Sequence, residues 1–117
     1  MINDEINKLK GFMPKHEGMA LTKWSKKFSS IGPIMEIGSY CGKSAIYLSR
    51  GAILNDQFVY TIDHHFGSEE HQINEEYFDN EIFDHINQRV DTLPLLIKNI
   101  NKIKVNNVVP IISNSID

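Results

Sequence analysis

At 117 residues the chain is long enough for one domain with a modest core. Its formal net charge of −3 excludes a dedicated nucleic-acid surface, which needs clustered excess Lys and Arg. A single cysteine excludes an internal disulfide, and the sequence holds neither the ~20 apolar residues of a membrane span nor a basic-then-apolar leader. The expectation is a cytoplasmic chain with no nucleic acid and no membrane among its partners.

In chain order, residues 3–10 place Ile6 and Leu9 at helical spacing behind a cap at Asn3 or Asp4, and Gly11 and Pro14 break the segment. A second helix is predicted from about Glu17 to Phe28, with Leu21, Trp24 and Phe28 as its core-facing stripe and Lys23, Lys26 and Lys27 on a solvated face. After the loop 29–33, Ile34 to Ile37 form the first strand. A glycine-punctuated turn follows, then a helix from about Lys43 to Leu54 that packs Ala45, Ile46, Leu48, Ala52 and Ile53 on a sheet. Phe58 to Ile62 form the second strand, closed by Asp63.

From His64 to about Asp91 the composition turns polar and acidic, and a connection of that length is often functional or mobile. Its part near Glu81 to Val90 is expected to be helical. Asp91-Thr-Leu-Pro94 reads as a helix start, carried on by Leu95, Ile97, Ile100 and Ile103, and Val108 to Ile112 form the third strand.

The organisation is therefore N-terminal helices over 1–32 and a βαβαβ cofactor-binding half-domain over 33–117, with a polar insert at about 64–90. The fold class is α/β, the N-terminal half of a Rossmann-like doubly wound parallel sheet, with right-handed crossovers setting strand order 3-2-1. The strand that would flank strand 1 on its other side does not appear before Asp117. The expectation is a truncated protein, or a half-domain completed by association, including a homo-oligomer paired through the bare strand 1 edge.

The turn Gly38-Ser-Tyr-Cys-Gly-Lys-Ser44, with Glu36 before it, carries the chemistry. A dinucleotide fingerprint would need glycine where Tyr40 and Lys43 stand. A P-loop would need one residue more, and Glu36 would oppose a triphosphate. The spacing Glu-x-Gly-x3-Gly, matched by Glu36, Gly38 and Gly42, belongs to S-adenosylmethionine binding. Its sulfonium and ammonium are favoured by a carboxylate, and Asp63, 27 residues after Glu36, supplies a ribose acceptor at the next strand tip. Cys41 at a helix N-terminus is expected to have a lowered thiol pKa, though its simplest role is a small residue filling the turn. His64, His65 and His71 with Glu69 and Glu70 match no standard metal-ligand spacing, so no metal site is assigned.

The sequence resembles the class I S-adenosylmethionine-dependent methyltransferases, in particular a subgroup whose turn reads as Glu36 to Ser44 and whose second strand ends as Asp63-His-His-Phe-Gly-Ser-Glu-Glu-His-Gln72. The resemblance runs from about Gly11 to the end. It implies that Gly38, Ser39, Tyr40 and Gly42, with Lys43 and Ser44, line the methionine part of the cofactor, and that Glu36 approaches its amino group. It further implies Asp63 at the ribose hydroxyls, His64 beside the adenine, and Asn114 and Ser115 at the adenine edge. The partner it implies is an unidentified small-molecule methyl acceptor. It assigns no catalytic residue. The alternatives are a P-loop-like phosphate-binding module and a non-catalytic half-Rossmann association domain.

Overall fold

Two segments of β-branched and apolar residues, Ile34–Ile37 (β1) and Val59–Asp63 (β2), pair in parallel, and Val108–Ile112 (β5) joins the far side of β2. The computed structural model describes residues 2–67, 75 and 79–114. The helices are Ile2–Asn7 (α1), Lys15–Phe28 (α2), Lys43–Ala52 (α3) and Leu93–Ile103 (α4), and α3 runs on into a 3-10 turn at Ile53–Asn55. The fold is α/β, a three-stranded parallel sheet with helices, compatible with a half-Rossmann arrangement.

The sheet order β1-β2-β5 sets the strands at 34–37, 59–63 and 108–112 side by side as expected, and only the whole-chain numbering departs from 3-2-1, because the insert adds two strands of its own. Phe83–Asp84 (β3) and Arg89–Val90 (β4) form a separate antiparallel hairpin there. This also corrects the expected helix near Glu81 to Val90. The Asp84 carboxylate accepts the N–H groups of Ile86 and Asn87, and Gln88 adopts φ 55°, so local turn chemistry closes a hairpin instead.

Among the described residues, one face of the sheet is covered by helices and the other is bare. Ile34, Val59 and Val108 meet Ala45, Leu48 and Ala52 of α3, while Ile103 and Val105 pack with Ile46 and Tyr47 on the same side. The alternate residues point the other way, and there Met35 is 66% and Ile37 64% exposed, in register with Tyr60 and Ile62 of β2. In α4, Leu96 and Asn99 are buried and Ile97 is exposed, one position away from the stripe read in the sequence.

The face of α2 also differs from expectation. Leu21 is half-buried, but Trp24 is 58% exposed and stacks on Phe28, also exposed, with ring centroids 5.1 Å apart. The face turned to α3 carries Gly18 and Ser25, both buried, and half-buried Thr22, because α3 approaches too closely for anything larger. A Cβ on Gly18 would lie 2.2 Å from the Tyr47 ring, and one on Gly51 would lie 2.2 Å from the Thr22 carbonyl oxygen. Hydroxyls secure the contact: Thr22 Oγ1 donates to the Tyr47 carbonyl at 2.8 Å, and Ser25 Oγ to that of Leu48 at 2.5 Å.

Gly51→Ala is expected to destabilise the chain by roughly 2 kcal/mol, because backbone rather than a flexible side chain blocks the methyl. Alanine's higher helix propensity, about 1 kcal/mol, acts in the opposite direction. Urea unfolding followed by circular dichroism gives the sign. An unchanged or raised midpoint would contradict the close helix contact.

Candidate functional site

Parallel register places Glu36 beside Thr61, on the sheet face that α3 covers. The Glu36 carboxylate accepts from Thr61 Oγ1 at 2.8 Å and from Ser44 Oγ, in the first turn of α3, at 2.5 Å. Thr61 Oγ1 also lies 2.6 Å from Ser39 Oγ, so strand, turn and helix share one hydroxyl network. Burial pushes the Glu36 carboxyl above its ordinary value, the two hydroxyls pull it back, and the nearby Asp63 charge adds to the rise. Among the described residues no Lys, Arg or His forms an ion pair with it.

The turn itself is held tightly. Gly38 N donates to the Ile62 carbonyl at 2.8 Å, the last rung beyond β1. The backbone then turns over the tip of β2 with Gly38 at φ 92°, Tyr40 at 48° and Gly42 at 88°. Gly42 is required twice, since Leu96 Cδ1 of α4 would lie 2.2 Å from its Cβ. Asp63 accepts from Ser39 N and Tyr40 N through Oδ2, each at 2.9 Å, and from His65 N through Oδ1 at 3.0 Å. Burial would raise its pKa, but these N–H bonds prevail and hold it below the ordinary value. Asn99 of α4 completes the frame, donating from Nδ2 to the Cys41 carbonyl at 2.9 Å.

A cavity of about 220 Å³ is lined by this turn, by Gly11, Phe12 and Met13, and by Lys43 and Ser44 at the start of α3. Phe12, 72% exposed, stands with its ring 5.6 Å from that of Tyr40. In the sequence, 11–14 stands out only as a break between helices, yet it forms one side of this cavity. Thr61 is a site residue without a local motif, and its signal is a hydroxyl in register with the acid of the neighbouring strand. A larger cavity of about 400 Å³, lined by Thr22, Arg50, Ile103 and Asn107, lies elsewhere and contains none of the expected site residues.

The structure thus brings together Glu36, Gly38, Ser39, Tyr40, Gly42, Ser44 and Asp63. Lys43 is buried, and its Nζ donates to the Asn7 carbonyl at the end of α1, at 2.8 Å. His64 lies next to Asp63; its Nδ1 accepts from Phe66 N at 2.9 Å and its ring stacks on Phe66. Asn114 is exposed beyond β5, joined to the site through Ser113 N, which donates to the Asp63 carbonyl at 3.0 Å. Ser115 lies outside the described residues, as do Glu69, Glu70 and His71.

One expectation changes, that for the Cys41 thiol. Cys41 is fully buried among Ile82, Phe83 and Val90, and burial pushes its thiol up to about 12 instead of lowering it. His65, also buried, places Nδ1 2.6 Å from Thr92 Oγ1, and among the described residues no three metal-capable side chains converge.

Two predictions follow from these burial effects. A carboxyl whose folded pKa is raised contributes its stability below the unfolded value, near 4.5 for Glu36, and loses it as pH rises. Glu36→Gln is therefore expected to raise the melting midpoint at pH 7 by roughly 2–4 °C, with no gain below about pH 4; a lower midpoint at pH 7 would contradict the buried-charge penalty. For Cys41, alkylation by iodoacetamide at pH 8 is expected to run about 100-fold slower in the folded chain than in urea, and equal rates would refute its burial. No protein-family model matches the chain, so the site's own chemistry carries the functional reading.

Proposed function

We propose that this chain is the S-adenosylmethionine-binding portion of a methyltransferase acting on a small-molecule acceptor. The observation that carries the reading is Glu36, a largely buried carboxylate without a cation partner among the described residues, hydrogen-bonded to Ser44, which lines the cavity beside the turn. Such a group carries a desolvation penalty that a cationic ligand relieves. A sulfonium or an ammonium suits it; a phosphate does not.

When bound, the cofactor supplies a methyl group on a positively charged sulfur. The chain's part is to bind and orient. Gly38, Ser39, Tyr40 and Gly42 would line the methionine end, with Glu36 balancing the ammonium. Asp63 would take a ribose hydroxyl, and His64 and Asn114 would stand toward the adenine. Alignment of acceptor and methyl group is the main demand of such a transfer. The resemblance, from Glu36 to Ser44 and from Asp63 onward, supports the same cofactor.

The phosphate-binding alternative has less in its favour. The amides of Ser39 and Tyr40, which would have to cradle a phosphate, already bond to Asp63, and the Lys43 ammonium bonds to α1.

Titration of 15N-labelled chain with S-adenosylmethionine tests the proposal. Binding is expected to be weak, on the order of millimolar, with shifts centred on 38–44 and 63–64. A response to magnesium–ATP that is lost in Lys43→Ala, or no response to the sulfonium at all, would overturn it.

A further inference from the structure

Asp63 has more partners than a ligand acceptor needs. Two of its three N–H donors, Tyr40 at φ 48° and His65 at φ 69°, are non-glycine residues in the left-handed region, a conformation that persists only where surrounding bonds enforce it. His65 extends the linkage: its carbonyl accepts from Thr92 N at 2.9 Å, and its ring meets the Thr92 hydroxyl at the start of α4. One carboxylate thus joins the glycine turn, the tip of β2 and the entry to α4.

We infer that Asp63 is a positioning residue, whose carboxylate holds Ser39, Tyr40 and His65 in the site-forming conformation and keeps one acceptor position, on Oδ1, for a ligand hydroxyl. An ionised carboxylate offers about four lone-pair positions. Three are occupied by the turn and by His65. A ribose diol therefore reaches Asp63 through one hydroxyl rather than two. This second statement rests on the nucleoside cofactor proposed above; the first does not.

Among the described residues, the titratable groups facing this neighbourhood are Glu36 of β1, Tyr40 and Cys41 of the turn, His64 and His65 beyond β2, and Asp91 ahead of α4. Among the described residues no cation forms an ion pair with Asp63, so backbone N–H bonds stabilise its charge. With the folded pKa below the ordinary 3.8, the stability these bonds give is present above that value and lost as pH falls through the folded pKa.

Residue-resolved amide hydrogen exchange tests the clamp. Ser39 and Tyr40 are expected to exchange about 100-fold slower than unprotected amides. In Asp63→Asn they should lose about tenfold or more of that protection, while the β2 ladder amides of Tyr60 and Ile62 keep theirs. Unprotected amides in the wild type, or unchanged rates in the variant, would overturn the inference. Should the variant not fold, wild-type NMR decides: the Ser39, Tyr40 and His65 amide shifts should share one midpoint below the usual carboxylate value, and separate midpoints would refute a common clamp.

For the ligand hydroxyl, ligand-detected NMR compares adenosine with its 2′-deoxy and 3′-deoxy analogues. One analogue should bind within about twofold of adenosine and the other about tenfold more weakly. Equal losses would overturn the single-hydroxyl statement. No adenosine binding would overturn that statement together with the proposed cofactor, and exchange would still judge the clamp.

Discussion

The parallel pairing of β1 with β2 is the constraint on which the rest depends. Its register sets Glu36 beside Thr61 and ends β1 one rung short of Asp63, so the chain leaving Ile37 must fold over the tip of β2. The turn then finds its hydrogen-bond partners on β2, at the Ile62 carbonyl and the Asp63 carboxylate. Helix α3 starts from Gly42 at the angle this geometry fixes, which brings Ser44 back to Glu36. A slip of one residue would turn Glu36 to the bare face and dismantle the network.

Much of this was legible in the sequence where the local signal and the long-range requirement agree. β1 and β5 are short apolar runs bounded by breakers, and both occupy the residues the pattern indicated. The turn was legible because few residues tolerate its left-handed positions. The outer face of α2 was not, because the period of Leu21, Trp24 and Phe28 is helical whichever way the helix is rotated. What sets the rotation is the approach of α3, and only Gly18, Thr22, Ser25 and Gly51 leave room for it. Likewise, the wall formed by Gly11 to Met13 follows from tertiary placement of a segment 25 or more residues from the turn, which no local pattern encodes.

The site shows how burial assigns opposite tasks to two neighbouring acids. Asp63 is stabilised in its charged form by N–H groups, whereas Glu36 has only neutral hydroxyls and is disfavoured when charged. The first suits a fixed structural anion. The second suits the role proposed for Glu36, in which a positively charged ligand relieves the penalty of burial. Lys43 stays apart from both, because its ammonium ties the end of α1 to the start of α3.

The outward stack of Trp24 on Phe28 has a practical consequence for following this molecule in solution. Trp24 is the single tryptophan of the chain, and its indole is largely in water on the outer flank of α2. Its fluorescence will emit toward the red even in the native state and will be quenched readily by acrylamide. The optical signal therefore describes the surface of one helix, and the state of the interior must be followed through the tyrosines and the amide backbone.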